Sequence, residues 1–304
     1  MSPDPAATVV ISTHNRRDEL LVAIGSVRAQ TVPVEILVID DASDDGTSEA
    51  VRERHPDVVV HRYETHRGYI AARNHGARLA RAPVWITMDD DAEMPSPRTV
   101  EQTLAEFSDP RIAAVAIPYT EPAFPKPPPQ TGPGLLVTSM FIGCAGALRR
   151  DAFLAAGGFR ESLVAHGEES DLCLRLLQRG QVVALGRADP MVHHVSPRRD
   201  SAGKLRQSAR SELLVTYADV PLPDALTRAG INVAVHLRSA ARQRRPAPVL
   251  RGFARAARDA RHEERRPVSR STYRLYRELE RQAGSGRYRL TLGDIAGRLP
   301  KAVG

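Results

Sequence analysis

Three consecutive carboxylates, Asp89, Asp90 and Asp91, close an apolar run in "VWITMDDDAEMP". Like charges this close repel unless something positive neutralises them, and a divalent cation is the natural agent. Carboxylate oxygens suit magnesium or manganese, which take one or two protein carboxylates and complete their shell with substrate phosphates and water. If the run ends a β-strand, alternation puts Asp89 and Asp91 on one side and Asp90 on the other, so the pair at i and i+2 is the expected ligand set. The competing reading is a solvated turn that caps the helix near Pro97. Further on, "MVHHVS" places His193 and His194 on opposite faces of a short strand. Neutral imidazole is a common metal ligand, and with a cation already implied, His194 is taken as the third ligand.

Other clusters have the chemistry that a phosphorylated substrate needs. In "VIDDASDDGT", Asp44, Asp45 and Gly46 supply turn chemistry, while Asp40 and Asp41 at the strand tip can accept hydrogen bonds from a base or ribose. "HRGYIAARNHGARLA" sets Gly68 before a helix with Arg73 and Asn74 one turn in; Arg73 could grip a diphosphate in bidentate fashion or sit in a salt bridge. "AHGEESDLCLRLLQRG" opens a helix with Glu168, Glu169 and Asp171. Acids in a first turn are stabilised by the helix dipole, and a neighbouring carboxylate can also raise one of them into the range of a general base. Glu168 and Asp171 share a face and Glu169 is offset, so the trio can divide its work. The dinucleotide fingerprint and the P-loop are both absent after the first strand, which disfavours a dinucleotide oxidoreductase or an ATPase.

The elements that must position these groups are legible as alternation. Short β-branched runs at 8–13, 35–40, 58–63, 84–89 and 112–119 alternate with helical patterns at 18–29, 47–54, 69–81 and 97–107. That order predicts an α/β fold with a mostly parallel sheet, whose ligands bind beyond the carboxyl ends of the strands. The proline-rich segment 120–134 predicts an extended loop, either a passive linker or a lid. After "VHHVSPRRD" the pattern is helical to about residue 281, broken by Pro221, Pro223, Pro246, Pro248 and Pro267.

The chain has 304 residues, a net charge of +7 and two cysteines, Cys144 and Cys173, without metal-ligand spacing; both are read as reduced and structural. No run reaches the ~18 to 20 apolar residues of a membrane helix, and the start lacks a signal-peptide pattern, so a cytoplasmic chain is expected. Acids populate the first two thirds, whereas 238–289 is dense in arginine. The asymmetry predicts a domain at 1–200 and a basic, mainly helical region at 201–304. The basic region is read as a solvated surface or as a peripheral contact with the inner face of an anionic membrane, with nucleic acid disfavoured because no binding module accompanies the charge.

Taken in order, "VVISTHNRRDEL", "ILVIDDASDDGT", "GYIAARNHGARLA", "ITMDDDAEMP", "GGF" with "EESDLCLRLLQRG", and "VHHVS" resemble the family 2 glycosyltransferases over about residues 7–199. The resemblance implies a GT-A fold with a Rossmann-like nucleotide-binding half, a UDP-, GDP- or TDP-sugar donor, Mn2+ or Mg2+, a hydroxyl acceptor and inversion at the anomeric carbon. It implies that Thr13, Asn15 and Arg16 edge the nucleotide pocket, that Asp41 meets the base, that Asp91 is the direct metal ligand, and that Asp89 lies nearer the ribose. The family's base position falls on Glu169, where the chain has a glutamate in place of the usual aspartate; Asp171 stays an alternative. Two rival functions share such a scaffold: a sugar nucleotidyltransferase and a non-catalytic nucleotide-sugar-binding protein.

Overall fold

The computed structural model describes residues 4–125, 129–195 and 201–301. The chain runs β1 (Ala7–Thr13), α1 (Arg17–Arg28), β2 (Val34–Asp40), α2 (Thr47–Arg54), β3 (Val59–Arg62), α3 (Tyr69–Leu79), β4 (Val84–Asp89), β5 (Ala92–Glu93), α4 (Thr99–Ala105) and β6 (Ile112–Ala116). It continues through β7 (Tyr119–Thr120), β8 (Gln130–Thr131), β9 (Val137–Thr138), β10 (Gly146–Arg149), α5 (Arg150–Ala155), α6 (Glu168–Gln178), β11 (Val182–Leu185) and β12 (Met191–His193). Helices α7 (Ser201–Asp219), α8 (Asp224–Arg242), α9 (Pro246–Asp259) and α10 (Arg270–Ser285), then β13 (Arg287–Tyr288) and α11 (Leu292–Ile295), complete it.

The main sheet has the order β3-β2-β1-β4-β10-β6-β11-β9. Strands β3, β2, β1 and β4 are mutually parallel, as are β6 and β11, while β10 and β9 run antiparallel to their neighbours. The expected α/β, mostly parallel sheet is therefore what forms. Both faces are covered, which is why its strands read as continuous apolar runs. Val9, Ile11, Val38 and Ile86 pack with Leu20, Ile24 and Val27 of α1, whereas Val10, Leu37, Ile39 and Trp85 pack with Ile70, Ala72 and Ala77 of α3. Helix α3 lies so close that a Cβ on Gly76 would overlap the Val10 side chain, so only glycine fits there. The first core also takes in Tyr273, Leu275, Tyr276 and Leu279 of α10 and Ile295 of α11. The boundary expected at residue 200 lies in 196–200, outside the described residues.

One expected strand divides. The run 112–119 gives β6 and then β7, because Pro118 has no N–H to continue the ladder, and β7 joins a small sheet ordered β5-β12-β7. That sheet stands over the end of β4. Residues 130–131 of the proline-rich segment pair instead with β13. The prolines of the C-terminal part punctuate its helices as expected, with Pro246 starting α9, where a missing N–H costs nothing.

Candidate functional site

Strand β4 ends on Asp89, and the turn through Asp90 and Asp91 leads into β5. Strand β12 pairs antiparallel with β5, and the His194 N–H donates to the Asp91 carbonyl at 2.7 Å. The pairing delivers His193 to the carboxylates: its Nε2 lies 3.2 Å from Asp91 Oδ1 and 3.8 Å from Asp89 Oδ2. Asp89 and Asp91 therefore face one partner, as expected, although Asp91 reaches it from the turn after β4 and not from the strand itself. The histidine, however, is not the expected one. His194 turns outward to Glu93 at 2.7 Å and is half exposed. Which of two adjacent histidines faces the site is set by the β12–β5 register, and a one-residue slip reverses it. His193 Nδ1 in turn meets Glu121 at 3.3 Å, a contact that fixes the ring.

A further group joins them. Donor atoms of Asp89, Cys144 and His193 lie within 4.8 Å of one another, because antiparallel β10 brings the preceding loop over the end of β4. Spacing along the chain could not signal this. Carboxylate, imidazole and thiol donors so close form a set that a divalent cation fits. The carboxylate charge is balanced here by two guanidiniums. Arg16 Nη1 reaches Asp91 at 2.6 Å and Asp90 at 3.3 Å, and Arg73 Nη2 reaches Asp89 at 2.5 Å. Burial pushes the Asp90 carboxyl up to about 7 against the pull of Arg16. Burial also works on Asp91, but hydrogen bonds from His193 and Arg16 outweigh it and hold that carboxyl below the usual range. Beside Asp91 opens a cavity of about 380 Å³ lined by Arg16, Glu19 and His194, with Pro122 and Ala123 of the proline-rich segment on its wall.

The expected nucleotide-side residues fall into two groups. Thr13, buried at the end of β1, faces Asp90, and Arg16 lines the cavity. Asn15, in a left-handed conformation at φ 54°, stitches the tips of β1 and β2 together: its N–H donates to Ser43 Oγ at 3.0 Å and its Oδ1 accepts from the Asp44 N–H at 2.8 Å. Asp41 is engaged too. It accepts from the N–H groups of Arg67 at 2.7 Å and Gly68 at 2.8 Å and touches His66, so its carboxylate holds the loop into α3. Asn74 is spent away from the cavity, bonding both the N–H and the carbonyl of Phe159 at 2.8 Å and so pinning the "GGF" segment. Arg73, buried, spans Asp89 and Glu168 rather than standing open to an incoming phosphate.

Helix α6 starts from Gly167 at φ 89°, a left-handed conformation that glycine adopts without strain. Its three acids divide their work. Glu168 is buried 3.5 Å from Arg73. Asp171 is fully buried with both oxygens held: Oδ1 by Arg160 at 2.6 Å and Oδ2 by Arg175. Burial raises Asp171, but Arg175 and Arg160 outweigh it and leave its carboxyl low. Arg160 continues to Asp219 at 2.9 Å and Glu263 at 2.8 Å, tying α6 to α7 and to the segment before α10. Glu169 is the acid left partly accessible. Its Oε1 accepts from the Gly143 N–H at 3.0 Å, and burial, with the charge of Glu168, pushes its carboxyl up to about 8. Gly143 and Cys144 thus touch both halves of the site, the Glu169 carboxyl on one side and the Asp89–His193 cluster on the other.

Residues 8–154 match the family described as Glycosyl transferase family 2. The chain is 34% identical over 119 residues to validoxylamine A glucosyltransferase of Streptomyces hygroscopicus subsp. jinggangensis, a stretch that makes up 37% of this chain and 28% of that protein. It therefore spans little more than a quarter of that relative. Among solved structures, mannosyltransferase PcManGT from Pyrobaculum calidifontis in complex with GDP-Man and Mn2+ superposes with a TM-score of 0.58 at 19% identity, over 94% of this chain and 86% of that one. S. aureus TarS 1-349 in complex with UDP-GlcNAc gives 0.60 at 15% identity, over 76% and 72%. The likeness to these glycosyltransferases shows a GT-A fold.

Proposed function

We propose that the chain, whose residues 8–154 match glycosyl transferase family 2, transfers a sugar from a nucleoside diphosphate sugar to an acceptor hydroxyl, with inversion at the anomeric carbon. The observation that carries this reading is the Gly143–Cys144 dipeptide, which joins a carboxyl raised to about 8 to the carboxylate–histidine cluster. A base beside a seat for a cation and a diphosphate is what an in-line displacement needs. The nucleotide sugars bound by the Pyrobaculum and S. aureus proteins support the donor class.

Asp91, Asp89 and His193 would hold Mn2+ or Mg2+, which when bound neutralises charge developing on the departing diphosphate. Arg16, on the cavity wall, is placed to meet the same phosphates. Glu169 takes the proton of the acceptor hydroxyl as its oxygen bonds the anomeric carbon, on the face opposite the breaking bond to the diphosphate. A carboxyl tuned towards the working pH suits that task. Asp171 serves instead as a structural knot that fixes the first turn of α6. The test is sugar release from a panel of UDP-, GDP- and TDP-sugars with and without Mn2+. Manganese-dependent release from at least one donor is expected. Binding without release, or turnover only with a nucleoside triphosphate and a sugar phosphate, overturns the proposal.

A further inference from the structure

A second cavity, of about 410 Å³, opens between α8 and α10. Arg228, Arg274, Arg277, Arg281 and Arg298 line it, against Asp224 and Glu278. Arg228 and Arg277 share Glu280, and Arg298 pairs with Glu278. Arg274 and Arg281 make no ion pair among the described residues. They stand seven residues apart with Arg277 between them, so all three lie on one face of α10. Guanidiniums without carboxylate partners beside a cavity are suited to phosphate oxygens, which they can grip with paired N–H donors.

Helix α8 extends the same surface. Its Thr227 and Ile231 line the cavity, and beyond them positions 226, 230, 234, 235, 237, 238, 241 and 242 are exposed. These are Leu, Gly, Ala, Val, Leu, Arg, Ala and Arg, with no acid among them. Leu226 is 71% exposed, Val235 57% and Ile231 46%, and Leu222, just ahead of the helix, 58%. A half-cylinder of mostly apolar side chains, interrupted by Thr227 and by arginines that can extend their heads past it, is poorly matched to water. It has the character of a helix that lies in a membrane interface.

We propose that the α8–α10 face docks on an anionic phospholipid bilayer, with a lipid phosphate in the arginine cavity and Leu222, Leu226, Ile231 and Val235 in the acyl boundary. Acidic lipid meets Arg238, Arg242, Arg274 and Arg281, and the bilayer takes up exposed apolar area that is not gathered into a groove. No helix among the described residues is long and apolar enough to cross a membrane, so the contact is peripheral.

The test is co-sedimentation of the full chain with phosphatidylglycerol-rich and with pure phosphatidylcholine vesicles, without sugar donor, so that its failure leaves the transferase reading untouched. Binding to the anionic vesicles alone is expected. A basic side chain near an anionic surface contributes about fivefold in partitioning, so Arg274→Ala with Arg281→Ala weakens binding by more than about tenfold. Leu226→Ser with Val235→Ser weakens it as well, and both double variants keep the parent's melting temperature, since all four side chains are exposed. Soluble glycerophosphate leaves vesicle binding in place. Equal recovery with both vesicle types, release by glycerophosphate alone, or a dimer of the parent chain that Leu226→Ser with Val235→Ser dissolves would each overturn the proposal.

Discussion

Replacing Glu169 with glutamine gives the sharpest test, because the structure predicts both a rate effect and a stability effect with defined pH dependence. Burial and the charge of Glu168 lift the Glu169 carboxyl from 4.5 to about 8. A base must be ionised to act, so kcat/KM rises with pH as this group loses its proton. A base titrating at 8 is about one per cent ionised at pH 6 and half ionised at pH 8, a rise of about fiftyfold, whereas a glutamate of ordinary pKa leaves the profile flat over that range. Glu169→Gln flattens the profile and lowers the rate by at least about a hundredfold while donor still binds. The stability effect has the opposite sense. With a raised folded pKa, the native state keeps a proton that the unfolded chain releases near 4.5, so Glu169 contributes stability at low pH that is lost as pH rises through 8. The variant therefore gains melting temperature over the parent at pH 8.5 and little at pH 5. Nucleotide release from the preferred donor across pH 6 to 9, beside thermal melts of both proteins, supplies the two readouts. A flat parent profile, or a variant with near-parental turnover, would refute the base assignment.

Other residues give separate outcomes. Asp91→Ala loses metal-dependent nucleotide binding, and calorimetry showing equal affinity with and without manganese would sink the ligand assignment. His193→Ala weakens Mn2+ retention by at least about tenfold, the scale on which even outer partners of a metal act, whereas His194→Ala does not; equilibrium dialysis with the two variants decides between the neighbours. Asp171→Asn, which strands Arg160 and Arg175 beside a neutral group, lowers stability by about 3 to 5 kcal/mol in urea unfolding, and a loss as small as that of an exposed pair would show that the knot is not structural.

The parts of the molecule written into local patterns were legible, and those written into strand pairing were not. The parallel half of the sheet follows from β-branched runs alternating with helices, and Asp89 to Asp91 emerge at the end of β4 because the apolar run stops there. Alternation predicts Asp89 and Asp91 together, and the turn after β4 brings that about. It could not choose between His193 and His194, because that choice belongs to the pairing of Val192 with Glu93 in a two-residue ladder. Cys144 was hidden for the same reason: its nearness to Asp89 depends on β10 running antiparallel between β4 and β6. The sequence offers Asp41 to a base and leaves Arg73 either a phosphate grip or a salt-bridge partner, yet the particular partners of Asp41, Arg73 and Asn74, from the Gly68 N–H to the Phe159 backbone, are announced by no motif. The shared face of Glu168 and Asp171 was visible as helical spacing, but which acid stays accessible depended on Arg160, eleven residues before Asp171 and outside the pattern.

The short ladder between β8 and β13 has a consequence for how the chain can be cut. The proline-rich segment borders the donor-side cavity at Pro122 and Ala123, and a few residues later it is fastened to Arg287 and Tyr288. The tail is thus a mooring line for a wall of the cavity. A chain trimmed after residue 286 retains every carboxylate, histidine and arginine of the site, yet Gln130 and Thr131 lose the strand they pair with. Limited proteolysis should then nick 120–134 faster in the trimmed protein than in the parent, and equal nicking would show that the mooring carries no load.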